Sequence, residues 1–273
     1  MSQRATTVLE RILAQTREEV ERRKRELPLE AASLGHPRAL TGERRFRDAL
    51  RAEGIGVIAE FKRRSPSAGA LRERPDLAEI VGAYQRGGAV AVSVLTEGPN
   101  FDGTLEDLQA ARAACDLPLL RKDFIVDAYQ LHEAVAAGAD AVLLIVAALE
   151  SQQLASLHGA ARALGLDVLV EVHDRDELRV ALDVGAEIVG VNNRDLRDFS
   201  VEVQRTEALM DDIPSGVTVV SESGIARAEQ VWRLRERGVQ AVLVGESLMR
   251  SADPAAAIRA LISKPAGTDV RAP

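Results

Sequence analysis

The sequence predicts an α/β chain folded as a single (β/α)8 (TIM) barrel with an N-terminal helical extension. Three observations carry the prediction. Eight apolar, strand-like runs are each followed by an amphipathic helical stretch. A glycine recurs where a helix ends and the next strand begins. The repeat occupies most of 273 residues, and an eight-fold barrel typically needs ~250. Strands that alternate with helices run parallel through right-handed crossovers. A doubly wound open sheet is the rival, but no G-x-G-x-x-G turn follows the first strand.

Residues 4–26 place Val8, Leu9, Ile12 and Leu13 at helical spacing among charges, and Pro28 ends that helix. A second short helix is expected near 44–53. The leader, 1–54, is expected to pack across one end of a barrel spanning 55–263, with 264–273 as a flexible tail. Strands are expected at 56–62, 89–96, 117–123, 140–146, 167–173, 187–193, 217–222 and 240–246. Helices are expected near 76–86, 104–114, 127–137, 150–164, 174–184, 201–210, 226–237 and 254–262.

The polar residues gather where the strands end, which in such a barrel is the active-site face. The first strand ends with Glu60 and Lys62 on one face, with Phe61 turned away. The third carries Lys122, the fifth Glu171 and His173, the sixth Asn192 and Arg194, the seventh Glu222 and Ser223, the eighth Gly245 and Glu246. Any one of these reads as a solvated strand end. Six such ends on one mouth do not.

Only four of 35 basic residues are lysines, and two of them, Lys62 and Lys122, sit at strand ends. Lysine can release a proton in a desolvated site and arginine effectively cannot. Both are therefore candidates for proton transfer or Schiff-base chemistry. Ser223-Gly224 and Gly245-Glu246-Ser247 open the last two loops with small residues, which suits a phosphate held by backbone N–H groups. His173 reads as a hydrogen-bonded structural residue, Cys115 as a core thiol and Trp232 as packing.

Composition narrows the class. Net charge is −7, so nucleic acid is not an expected partner. One cysteine excludes an internal disulfide or a cysteine metal cluster, and no run is long and apolar enough for a membrane. A cytoplasmic protein, favoured as a monomer and bound to neither membrane nor metal, is expected.

The stretches IAEFKRRSPS, SVLTE, FDGT, LLRKDFIVD, ADAVLLIVAAL, LVEVHD, GVNNRDL, SESGI and LVGESLM occur over residues 50–250. In this order they resemble the indole-3-glycerol-phosphate synthase family, (β/α)8 carboxy-lyases of tryptophan biosynthesis. Two positions depart from the pattern: Asn100 replaces a frequent aromatic, and Ala68 a frequent lysine. The resemblance implies an anionic substrate, 1-(2-carboxyphenylamino)-1-deoxyribulose 5-phosphate. It is closed to indole-3-glycerol phosphate with loss of CO2 and water, without metal or organic cofactor. It also implies roles. Lys122 is the general acid, Glu171 the acid/base group, and Glu60 a second carboxylate of the proton network. Lys62 holds the anthranilate carboxylate near Ser65 and Arg194. Asn192 bonds the reacting hydroxyl, while Glu222 and Ser223 line the pocket. Gly224, Gly245 and Glu246 hold the phosphate. Phe101, Phe124 and Leu144 pack on the aryl ring.

Three rivals compete. A phosphoribosylanthranilate isomerase would need a cysteine base at the end of the first strand, where Glu-Phe-Lys stands. A Schiff-base aldolase would centre on Lys122. A non-catalytic sugar-phosphate-binding barrel would need neither Lys122 nor Glu171.

Overall fold

A computed structural model describes residues 7–28, 45–73, 75–195 and 200–265 of the chain. The expected tail beyond Pro265, and residues 1–6 and 29–44 of the leader, lie outside the described residues.

Eight parallel strands close on themselves: β1 (Gly56–Phe61), β2 (Ala91–Leu95), β3 (Leu119–Lys122), β4 (Ala141–Ile145), β5 (Asp167–Val172), β6 (Ile188–Asn192), β7 (Thr218–Glu222) and β8 (Ala241–Val244). Sequence neighbours pair throughout, and β1 shuts the barrel against β8 in the register Gly56↔Ala241. The strands are shorter than expected by a residue or two at most ends, where pairing gives way to loop.

Side chains alternate between two apolar layers, as a closed sheet requires. Val57, Ala59, Val142, Leu144 and Val170 face the helices. Ile58, Leu120, Leu143, Ile145 and Leu169 fill the barrel interior.

The helices are α1 (Val8–Glu26), α2 (Arg45–Leu50), α3 (Leu77–Gly87), α4 (Gly98–Phe101), α5 (Leu105–Ala114) and α6 (Ala128–Ala136). After them come α7 (Ser151–Ala163), α8 (Arg175–Asp183), α9 (Gln204–Leu209), α10 (Ala228–Glu236), α11 (Glu246–Arg250) and α12 (Pro254–Ile262). Local chemistry starts several of them. Thr7 and Glu10 form a reciprocal capping box for α1, and Thr104 and Asp107 another for α5. The joints Gly88, Gly138, Gly165, Gly185 and Gly238 all adopt positive φ.

Among the described residues, the short elements that escaped the sequence reading are α4, α11, the 3₁₀ turns Val146–Ala148 and Met210–Asp212, and a hairpin pairing Arg64–Ser65 with Gly69–Ala70. Each is too short to show a period. α9 also begins later than expected, because Val201 pairs with Arg194 as an isolated bridge.

The leader does two things. Phe46 and Leu50 of α2 are buried in the interior layer, each burial contributing about 1.5–3 kcal/mol. Around them Arg45 bonds Asp140 at 3.2 Å, and Arg47 bonds Asp167 at 2.9 Å through its backbone N–H and Glu187 at 3.0 Å through its guanidinium. These acids stand where β4, β5 and β6 begin, so α2 closes the barrel's N-terminal end. α1 instead follows the opposite rim. Ile12 and Leu13 share a cluster with Phe124, Val126 and Ala148. Lys24 pairs with Asp127 at 2.6 Å and Arg23 with Glu133 at 3.1 Å.

Candidate active site

The C-terminal ends of the strands surround a cavity of about 440 Å³. Glu60, Lys62, Lys122, Glu171, Asn192 and Glu222 form its polar part, and Leu95, Phe101, Phe124, Leu143, Ile145 and Leu243 its apolar part. Alternation explains the set. Glu60, Lys122, Glu171, Asn192 and Glu222 are each the last or next-to-last residue of a strand, and Lys62 directly follows β1, so closing the barrel aims them at one axis.

Lys122 is the centre. Its Nζ lies 3.2 Å from Glu171 Oε2 and 3.3 Å from Glu222 Oε2. Across the floor Lys62 Nζ meets Glu60 Oε1 at 2.6 Å. Asn192 Nδ2 donates to Glu171 Oε1 at 3.0 Å, while its Oδ1 accepts from Arg194 N–H at 3.0 Å. The amide is therefore oriented from both sides.

Two glycines make room for this charge. A Cβ on Gly190 would lie 2.1 Å from Glu222 Oε1, and one on Gly245 would lie 2.5 Å from Glu60 Oε1. Each carboxylate occupies space that any other residue on β6, or after β8, would fill. Sequence reasoning took Gly245 for a phosphate contact alone and passed over Gly190. The missing signal is the register between paired strands, β6 with β7 and β8 with β1, which sets which carboxylate each glycine meets.

Electrostatics follow from crowding three carboxylates around one buried ammonium. Burial works to depress Lys122, but Glu222, Glu171 and Glu60 outweigh it and hold the ammonium far above the ordinary lysine range. Burial likewise opposes the charge on Glu171, yet Lys122, His173 and the Asn192 amide hold it below the ordinary carboxylate range. Glu222 goes the other way: burial, with the charges of Glu171 and Glu60 added against the pull of Lys122, pushes it up to about 7. Desolvation alone would favour the neutral amine, and the three carboxylates reverse that preference. Lys122 is therefore held as an ammonium, which disfavours a free-amine nucleophile for Schiff-base chemistry.

The remaining expected residues fall as follows. Phe101 and Phe124 line the cavity with ring centroids 6.4 Å apart. Glu97 caps α4 and accepts from the backbone N–H of Asn100 and Phe101 at 2.8 and 3.0 Å, which fixes the Phe101 loop. Ser65, in the unexpected hairpin, Arg194, Ser223, Gly224, Gly245 and Glu246 also line it. Ser223 and Gly224 are consecutive residues of positive φ, and Ser223 holds that conformation despite its Cβ. Ser247 lines the same end, with a buried Oγ that has no hydrogen-bond partner.

Leu144 is the exception. It faces the helices, and its neighbours Leu143 and Ile145 line the cavity instead. An unbroken apolar run gives no sign of which parity points inward. Arg121 is turned outward too, fully buried, and bonds Thr96, the Gln130 carbonyl, Asp123 and Glu133. His173 is hydrogen-bonded as expected, through Nδ1 to Glu177 at 2.9 Å, but it also stands 3.5 Å from Glu171. Cys115 is buried at the end of α5.

The family model of indole-3-glycerol phosphate synthase matches residues 9–261. The chain belongs to the indole-3-glycerol phosphate synthase family. It is 50% identical over 240 residues to indole-3-glycerol phosphate synthase 2 of Streptomyces coelicolor, covering 88% of this chain and 93% of that protein. It is 48% identical to the indole-3-glycerol phosphate synthase of Bordetella pertussis, covering 94% and 99%. Among solved structures, a thiamine phosphate pyrophosphorylase from Pyrococcus furiosus superposes with a TM-score of 0.59 at 19% identity, over 79% of this chain and 95% of that one. That likeness is one of fold. Among the described residues no helix is long and apolar enough to cross a membrane, and no group of three or more His, Cys, Asp or Glu side chains is placed to hold a metal ion.

Proposed function

We propose that this member of the indole-3-glycerol phosphate synthase family closes the indole ring of 1-(2-carboxyphenylamino)-1-deoxyribulose 5-phosphate, with Lys122 as the acid. The observation that carries the assignment is the buried Lys122 ammonium held between Glu171 and Glu222 at 3.2 and 3.3 Å on the cavity floor.

The aryl carbon bearing the carboxylate attacks the ketone. As negative charge builds on the carbonyl oxygen, Lys122 Nζ donates a proton to it. CO2 leaves with its bond broken toward the ring, which restores aromaticity. The new hydroxyl then takes a proton and departs as water, while a proton leaves the methylene carbon beside the nitrogen. Glu171, ionised at the start and bonded to both Lys122 and Asn192, is the acid/base group of this second stage. Two protons enter and one leaves, so each turnover takes one proton from solution.

Binding divides along the cavity. Lys62 holds the substrate carboxylate, with Ser65 and Arg194 beside it, and Glu60 fixes Lys62. Phe101, Phe124, Leu143 and Ile145 enclose the aryl ring. The backbone of Gly224, Gly245 and Glu246, with the Ser247 hydroxyl, receives the phosphate. Asn192 orients Glu171 and reaches the hydroxyl; Glu222 and Ser223 complete the wall. The cavity is walled by the loops and strand ends of one closed barrel, which supports a single catalytic domain, and we read the chain as a monomer. A small phosphorylated substrate and a lone cysteine support the cytoplasm as its location. Purified protein given this substrate should produce an indole chromophore. Silence in that assay with correctly folded protein would reject the assignment.

A further inference from the structure

Resting on this reading, we infer that His173 is a positioning residue for Glu171: its imidazolium donates Nε2–H to Glu171 Oε1 and holds that carboxylate as the reaction's base.

The geometry makes the ring's tautomer a matter of necessity. Nδ1 lies 2.9 Å from Glu177 Oε2, which also accepts the His173 backbone N–H at 2.7 Å. A carboxylate only accepts, so Nδ1 carries the hydrogen. In a neutral ring Nε2 would then present a lone pair to Glu171 Oε1, 3.5 Å away. Two lone pairs facing each other in a buried site repel. Protonation turns the same contact into a charge-assisted hydrogen bond. Nε2 is buried and has no hydrogen-bond partner, and it is 3.5 Å from the one acceptor that an added proton would satisfy. Three carboxylates act on the ring: Glu177 from α8, Glu171 from β5 and Glu222 from β7. Burial disfavours the charged ring, but these three outweigh it and raise its affinity for a proton.

Glu171 Oε1 is also the atom that accepts from Asn192. His173 and Asn192 therefore grip one oxygen, leaving Oε2 for Lys122 and the substrate. The chain Glu177–His173–Glu171–Lys122 runs from a partly exposed acid to the reacting centre.

The test joins spectroscopy to kinetics. With histidine labelled with nitrogen-15, the His173 resonance, assigned by its loss in His173→Gln, should titrate above the ordinary value of about 6.5. It should move down in Glu171→Gln. His173→Ala should lower kcat roughly ten- to a hundred-fold, the worth of one charge-assisted hydrogen bond, with KM changed less than about twofold. His173→Gln, whose amide places a donor near Nε2, should recover most of that loss and remove a basic limb from the kcat profile. An active enzyme whose His173→Ala variant keeps its kcat, or a His173 titration indifferent to Glu171→Gln, would overturn the inference. An inactive wild type would reject the proposed function instead, and the titration would still decide the hydrogen bond.

Discussion

Replacing Gly190 with alanine separates folding from catalysis in this barrel. The added Cβ would stand 2.1 Å from Glu222 Oε1 and 3.2 Å from Leu169 Cδ1, where ordinary contact begins near 3.4 Å. The carboxylate must retreat by about 1.3 Å. Its atom is the far end of a flexible side chain, so the fold yields at a cost of about 1 kcal/mol, at the low end for an overpacked site. In a chain this long that is a Tm shift of roughly 2–4 °C. Catalysis is less forgiving. A displacement of ~1 Å in a catalytic constellation costs about a hundred-fold, and Glu222 sits 3.3 Å from Lys122. Gly190→Ala should therefore lose roughly two orders of magnitude in kcat and only a few degrees of Tm. Steady-state kinetics and thermal unfolding read both. The double variant with Glu222→Gln should lose much less than the product of the singles, since both act on one group. Unchanged kcat in Gly190→Ala, or fully independent losses in the double variant, would refute the packing argument.

Other outcomes follow from the same geometry. Lys122→Arg keeps the charge but offers a guanidinium that does not release protons, so turnover should fall by roughly 10²–10⁴-fold; near wild-type turnover would remove Lys122 as the acid. Lys62→Ala should raise KM more than it lowers kcat, and a fall in kcat at constant KM would instead make Lys62 a proton carrier. Folding raises the Glu222 carboxyl from an ordinary 4.5 to about 7, chiefly through burial. Such a group stabilises the fold fully below its unfolded pKa, and the contribution fades as pH climbs through the folded value. Wild-type stability should therefore drop relative to Glu222→Gln between pH 4.5 and about 7, read as urea midpoints at the two ends of that window; parallel curves would contradict it. At the closed end, Asp140 accepts from Arg45, Arg112 and the Leu119 N–H at 3.2, 2.9 and 2.9 Å. Asp140→Ala should cost roughly 2–3 kcal/mol by leaving buried donors unpaired, with kcat intact; a loss of activity in the folded variant would show that the two ends of the barrel are coupled.

The elements, their alternation and the rim that carries chemistry are all legible in the chain's residues. Those are local quantities: a run of Val, Ile and Leu, a glycine that stops a helix, a charged residue ending an apolar strand. Lys122 and Glu171 were legible because an ionisable group there is costly unless used. The rest depends on closure of the barrel. Whether Leu143 or Leu144 faces the cavity is a matter of parity in an unbroken apolar run, settled by which neighbours the strand acquires. The room for Glu60 and Glu222 comes from Gly245 and Gly190, each brought against its carboxylate by the pairing of adjacent strands. The sign of the Lys122 shift depends on three carboxylates brought from β1, β5 and β7. A strand end read alone shows the burial that would depress that lysine; the closed barrel adds the charges that reverse it.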